Sequence, residues 1–315
     1  GTLLLPLKTK TTLSELRRVL GASALEYGLR EIPPKRIGPR SLADALRGIV
    51  PPDLIDLLPR AYDAVGDIAI LEIPPELHDY KIEIGRAFHQ LHPSFSTVLC
   101  KRGAITGMTR TRQYEFLSGE EKTSTVHVEY GCRIAVDLAR AYFSPRLLEE
   151  HNRIASQVQE GESVIDMFTG VGPFALHIAR RQSATVTAID INPHAIELLR
   201  KSLSMNKLRG RVIPVVADAG EYVPAHFTHN VDRVIMNHPS GASKFVNAAC
   251  TAVRAGGIIH YYDFIASHSA EDDMREKITR LVQEAGYIVS EILAIRRVRD
   301  SAPYEYQMVV DVVIE

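Results

Sequence analysis

Charge of one sign is missing from this chain of 315 residues: 37 Lys and Arg stand against 38 Asp and Glu. Bulk charge therefore does not mark a nucleic-acid binder, and any such surface must be a local patch. Cysteine is scarce. Cys100, Cys132 and Cys250 lie far apart with no metal-ligand spacing, so they read as free thiols of a reducing cytosol and no metal is expected. Long apolar runs are absent, which excludes a membrane-spanning helix. Leu3 to Leu5 precede Lys8 and Lys10, the wrong order for a signal peptide. Repeats and low-complexity tracts are absent too. A cytoplasmic, monomeric protein without membrane contact is expected. What is present is ordinary for a soluble globular chain, 45% hydrophobic and 24% charged residues, enough to bury a sizeable core.

The pattern changes twice along the chain. Residues 1–50 read as a short helical segment: Leu13 to Leu20 has helical spacing, Ser41 caps a helix over Leu42 to Ile49, and Ile32 to Pro39 is loop. Prolines 51 and 52 start another short helix. Residues 51–128 read as a small α+β domain: a hairpin arm over Tyr62 to Ile73, a helix from Pro75 to Leu91, and strands over Phe95–Cys100, Ile105–Phe116 and Thr123–Val128. The period of two puts Arg110 and Arg112 on one face of its strand. Residues 129–315 form the third part. From Glu162 onward, short apolar strands alternate with helices, which predicts a doubly wound α/β (Rossmann-like) sheet. Its last two strands, Tyr287–Ile295 and Gln307–Ile314, suit an antiparallel pair.

The first strand of that alternation ends in Asp166-Met-Phe168-Thr-Gly170-Val-Gly172-Pro-Phe174. Glycines there permit positive φ and close approach of a ligand to the backbone, but a lone GxG also serves nicotinamide cofactors. The acids discriminate. Asp166 precedes the glycines, Asp190 and Ile191 end the second strand, and Asp218 ends the third. A carboxylate at the second strand end can accept both ribose hydroxyls. Three acids suit a ligand carrying a sulfonium and an ammonium and would repel a pyrophosphate. S-adenosylmethionine is the expected cofactor, with Asp166, Phe168, Gly170, Gly172, Asp190, Ile191, Asp218 and Asn237 around it.

After the fourth strand comes Asn237-His238-Pro239-Ser240. Methyltransferases acting on base nitrogens place Asn/Asp-Pro-Pro-aromatic here, the amide offering a donor and an acceptor to the target nitrogen. In this copy Ser240 takes the place of the aromatic, so another ring must stack on the base.

With these pieces assembled, the chain resembles the archaeal and eukaryotic type of tRNA guanine-37 N1-methyltransferase from about Tyr62 onward. The specific pieces are Tyr62-Asp-Ala-Val-Gly-Asp67, the Lys101–Arg112 strand pair, Thr125-Val-His-Val-Glu-Tyr-Gly131, Tyr142-Phe-Ser-Pro-Arg146-Leu, Asp190-Ile-Asn-Pro-His-Ala195 and Gly257-Ile-Ile-His-Tyr-Tyr262. The resemblance implies that Glu150 is the general base, that Arg110 steadies the guanine O6, and that Asn237 is the loop amide. It implies Tyr142 and Pro239 as walls around the base and Arg146 as a cofactor or anion contact. Where the family has two glycines and an arginine, this chain has Leu148, Glu149 and His151, which makes Glu149 a second candidate base. The small N-terminal domain that reads the tRNA elbow in archaeal members is expected to be reduced or absent.

The implied chemistry is coherent. Guanine N1 carries a proton at neutral pH; a carboxylate can take it as the methyl arrives, and a guanidinium can stabilise the charge that builds on O6. Basic residues Lys101, Arg102 and Arg112, and Arg297 within the run Arg296–Arg299, are expected phosphate contacts for the tRNA anticodon stem-loop. The base must leave its stack, which a loop permits more cheaply than a duplex. Two other readings remain. One is a wybutosine-pathway enzyme on the same scaffold, either an aminocarboxypropyl transferase or a bifunctional precursor methyltransferase. The other is a non-catalytic RNA-binding protein.

Overall fold

The computed structural model describes residues 12–20, 39–106, 111–302 and 304–315. The chain divides into two units, residues 1–40 and 41–315. In the first, helix α1 (Leu13–Leu20) lies where its spacing predicts. Thr12 opens it: the Thr12 N–H donates to Glu15 Oε2 (2.9 Å) and the Glu15 N–H to Thr12 Oγ1 (3.4 Å), a reciprocal capping box. The loop expected over Ile32 to Pro39 lies, apart from Pro39, outside the described residues.

The second unit opens with α2 (Leu42–Ala45), capped by the Ser41 hydroxyl, which accepts from the Asp44 N–H at 3.1 Å. This helix is shorter than expected, because the chain turns through Gly48 (φ 80°) into a bridge between Arg47 and Val50. A 3-10 turn over Pro52–Leu57 begins at its proline. Strands β1 (Tyr62–Val65) and β2 (Ile68–Leu71) form a hairpin. The segment from Pro75 is a 3-10 turn that becomes regular only as α3 (Lys81–Leu91). Strands β3 (Thr97–Thr106) and β4 (Thr111–Gly119) complete a sheet of order β1-β2-β3-β4. Next comes the hairpin β5 (Ser124–Glu129) and β6 (Cys132–Asp137), which turns at Tyr130 and Gly131, both left-handed. Strand β6 was not expected from the sequence.

Helix α4 (Leu148–Gln157) leads into the alternating part. Its elements are β7 (Ser163–Asp166), α5 (Pro173–Arg181), β8 (Thr185–Asp190), α6 (Pro193–Ser204), β9 (Arg211–Val216) and α7 (Ala219–His226). They continue through β10 (Val231–Met236), α8 (Val246–Ala252), β11 (Val253–Ala266), α9 (Ala270–Glu284), β12 (Val289–Ala302) and β13 (Glu305–Ile314). The sheet order is β12-β13-β11-β10-β7-β8-β9, with β13 antiparallel to both its neighbours, as expected for the final pair. The central strands are apolar because helices cover both faces. Val164, Ile196 and Phe174 pack on one side, and Ile165, Met236 and Ile259 on the other. The first of these cores also takes in Val65, Ile68, Ile70 and Leu99 from the four-stranded sheet, so that sheet is anchored on the α/β part. Strand order reverses between β7 and β10, and such a switch point is where an open α/β sheet leaves a crevice at its strand ends. Among the described residues no helix is long and apolar enough to cross a membrane.

Candidate cofactor and substrate cavity

A cavity of about 430 Å³ opens at that crevice, lined from β7 and β8 by Phe168, Gly170, Asp190 and Ile191. The turn after β7 is held by its own backbone. Thr169 N–H donates to the Ile189 carbonyl at 2.8 Å and Gly170 N–H to Asp190 Oδ2 at 2.7 Å. The other Asp190 oxygen accepts from Asn192 N–H at 2.8 Å. Asp190 therefore fixes two loops while facing the cavity, and burial raises its pKa against the pull of those two N–H donors. Gly172 does not line the cavity. It starts α5 at φ 83°, and a Cβ there would stand 2.3 Å from Leu199 Cδ1, so its work is close packing of helix against helix.

Asp166 also lies behind the wall. It is fully buried; Thr169 Oγ1 donates to its Oδ2 at 2.7 Å, and its Oδ1 has no hydrogen-bond partner. Burial, with Thr169 opposing and Asp190 adding, pushes its carboxyl up to about 7. Asp218 lines the cavity and caps α7, its Oδ1 accepting the Gly220 N–H at 2.7 Å. Helix α7 was not expected.

The loop after β10 brings Asn237, His238 and Pro239 to the same cavity. Aromatic rings from positions other than 240 gather at this cavity. His238 and Phe245 both meet Phe168 edge-on, with centroids at 5.0 and 4.9 Å, and Tyr142 lines the cavity as well. Two further residues come from the last strand pair. Arg299 Nε donates to Gln307 Oε1 at 2.7 Å, and Gln307 Nε2 to Asn237 Oδ1 at 3.3 Å. Arg299 also reaches Ser144 Oγ (3.4 Å) and Tyr142 OH (3.5 Å). This chain links the tyrosine wall to the loop amide. The sequence groups Arg299 with phosphate contacts and gives no sign of Gln307, because a period of two along a strand says nothing of what the strand end faces.

Other expected site residues lie elsewhere. Arg110 is outside the described residues. Glu150 does not line the cavity; it is 6% exposed, bound by Arg153 through Nε (2.9 Å) and Nη2 (2.6 Å) and by the Tyr262 hydroxyl (2.5 Å). Glu149 is exposed and accepts from Tyr130 OH at 2.7 Å. Arg146 makes a bidentate pair with Asp63 (2.7 and 3.2 Å) on β1, and Lys101 pairs with Asp63 (3.0 Å) and Glu72 (3.1 Å). Burial would raise the Asp63 pKa, but these two cations lower it. Arg102 is exposed and Arg112 half-buried. Arg297 pairs with Asp300 and lies over the Tyr306 ring, 3.9 Å from its centroid.

Comparison with known proteins gives the same reading of the scaffold. The TRM5/TYW2 methyltransferase domain matches residues 125–290, and the TYW2 N-terminal domain matches residues 42–123. The tRNA (guanine(37)-N(1))-methyltransferase Trm5b of Pyrococcus abyssi is 40% identical over 262 residues, 83% of this chain and 77% of that protein. The tRNA(Phe) (4-demethylwyosine(37)-C(7)) aminocarboxypropyltransferase of Pyrococcus horikoshii is 31% identical over 275 residues, 87% of this chain and 96% of that one. Among solved structures, the complex of aTrm5 and tRNALeu superposes with a TM-score of 0.77 at 34% identity, covering 97% of this chain and 87% of that one. A methyltransferase sheet with its crevice in place, matched over more than half its length and at this identity, belongs to the TRM5/TYW2 methyltransferase family.

Proposed function

We propose that this chain transfers the methyl group of S-adenosylmethionine to N1 of guanosine 37 in the tRNA anticodon loop. The observation that carries the proposal is one cavity lined both by the cofactor-type residues Gly170, Asp190, Ile191 and Asp218 and by the base-type residues Tyr142, Asn237 and Pro239. The relative of higher identity acts at that nitrogen. Carboxylates at two strand ends favour a cationic ligand over a pyrophosphate, and the sulfonium supplies an already activated methyl. The chain's own work is then alignment and charge. Asn237 meets the base edge. Arg299, held by Gln307 beside Tyr142, is placed to stabilise the oxyanion that forms as N1 loses its proton.

Two groups compete for that proton. Glu150 keeps the family spacing but must leave Arg153 and Tyr262 to act. His238 lines the cavity beside Asn237, and a neutral imidazole carries a nitrogen that can accept a proton. Changing each in turn, Glu150→Gln and His238→Asn, separates them: only loss of the base removes the acidic limb of the kcat/KM profile while leaving cofactor affinity intact.

The reaction itself is tested with two preparations of cofactor, one labelled in the methyl group and one in the carboxyl carbon. Methyl label must enter unmodified tRNA, and entry must cease when guanosine 37 is changed to adenosine. Entry of the carboxyl label instead means aminocarboxypropyl transfer and overturns the proposal, as does methylation that survives the base change.

A further inference from the structure

A second cluster of chemistry-bearing side chains lies away from the cavity, where β5 meets α4 and α5. Glu129, His151 and His177 are 1%, 1% and 4% exposed, and one ligand-type atom of each lies within 4.8 Å of the others. His151 Nδ1 is 2.8 Å and His177 Nε2 is 3.2 Å from Glu129 Oε2. Among the described residues three buried side-chain polar atoms have no hydrogen-bond partner, and two of them, Glu129 Oε1 and His177 Nε2, are in this cluster. His177 Nε2 thus touches the carboxylate without the alignment of an N–H···O bond. A buried orphan of this kind is costly, and more so for a charged group. Among the described residues no lysine or arginine forms an ion pair with Glu129.

We propose that Glu129, His151 and His177 hold a divalent transition-metal ion of the zinc class. Bonds of about 2.0–2.1 Å in a tetrahedron separate ligand atoms by about 3.3 Å, and the two nitrogen–oxygen distances here, 2.8 and 3.2 Å, both lie a little short of that spacing. Two imidazoles and one carboxylate suit zinc, cobalt or nickel, whereas magnesium and calcium call for oxygen donors. Glu129 Oε1 is the second oxygen of a bidentate carboxylate. A polar neighbour of that oxygen is also present. His127 Nδ1 accepts the Gly66 N–H at 3.0 Å, so its proton sits on Nε2, which faces Glu129 Oε1 at 3.6 Å. The ion would join three elements distant in sequence: the β5–β6 hairpin, α4, which follows Tyr142, and α5, whose N-cap is Gly172. It therefore clamps the frame of the cavity and takes no part in the transfer. His151, at the position where the family has an arginine, brings a neutral donor in place of a cation.

Elemental analysis of tag-free protein after dialysis should find about one zinc-class ion per chain. Chelator-stripped protein should bind Co²⁺ with stoichiometric visible d–d bands, and stoichiometric Zn²⁺ should raise its unfolding midpoint. His177→Gln and His151→Gln should each weaken Co²⁺ binding on the order of tenfold or more and abolish the midpoint shift. Substoichiometric metal together with no saturable Co²⁺ spectrum in the wild type overturns the proposal, and it does so even if the variants fail to fold. So does Co²⁺ binding of equal strength in wild type and folded variants, which places the metal elsewhere.

Discussion

Asp166→Asn isolates one buried charge. The wild-type carboxyl is fully buried and is pushed from 3.8 up to about 7, chiefly by burial. A raised carboxyl pKa means that the fold prefers the neutral acid. Its contribution to stability is therefore complete below the unfolded value of 3.8 and is lost as pH rises through about 7. Three units at about 1.4 kcal/mol each make this roughly 4 kcal/mol as an order of magnitude. The amide of the variant mimics the neutral acid at every pH. Its oxygen can keep the Thr169 hydroxyl, while its NH₂ inherits the place where Oδ1 has no partner. That unpaired donor costs about 1–3 kcal/mol, but the cost does not depend on pH. The signal is therefore a slope, and the offset is irrelevant. Urea unfolding of both cofactor-free proteins from pH 4 to 7.5 should show the wild type losing about 1.4 kcal/mol per pH unit relative to the variant over much of that window. Asp190, also raised, bends both curves alike. Two curves that run parallel would mean that Asp166 is ionised in the fold, and the account of the turn would be wrong.

Three other substitutions bear on the cavity. Glu150→Gln removes the charge that faces Arg153, which keeps Asp311 at 2.5 Å. Stability should fall by about 3 kcal/mol, and an unchanged unfolding midpoint with lost turnover would show that Glu150 is spared for catalysis. Gly172→Ala forces a Cβ against Leu199 at φ 83°; it should cost about 1–3 kcal/mol and weaken cofactor affinity by calorimetry. Arg299→Ala removes the guanidinium beside Tyr142. A fall of about 10²-fold in kcat with little change in KM for tRNA is expected if it stabilises charge, whereas a rise in KM alone would make it a binding contact.

The alternating part was legible because burial on both faces leaves parallel strands no choice of residue. Val234, Ile235 and Met236 are apolar throughout and fully buried, and a run of that kind ending at Asn237-His238-Pro239 has few other readings. The glycine turn was legible for the same reason, since φ near 83° at Gly172 demands its residue type. What the sequence hides is the meeting of strand ends. Gln307 reaches Asn237 across 70 residues, and Glu129 meets His151 and His177 from separate elements. Spacing rules detect ligands on one helix or one loop. They are blind to donors that only the sheet order and the β5–β6 hairpin bring together.

Charge was the least legible property, and the reason is pairing. The balance of 37 basic against 38 acidic residues leaves each cation with a nearby acid to find. Lys101 and Arg146, both expected to face a ligand or phosphate, instead clamp Asp63, with Lys101 only 16% exposed. Breaking such a pair to reach a phosphate would trade one ion pair for another, with little net gain. Arg297 is tied to Asp300 and Tyr306 in the same way. These residues hold the β1–β4 sheet on the α/β part and stiffen the last strand pair, whereas Arg102 and Arg296 are exposed. A basic run on a neutral chain is thus evidence of internal cross-bracing until the acids around it have been accounted for.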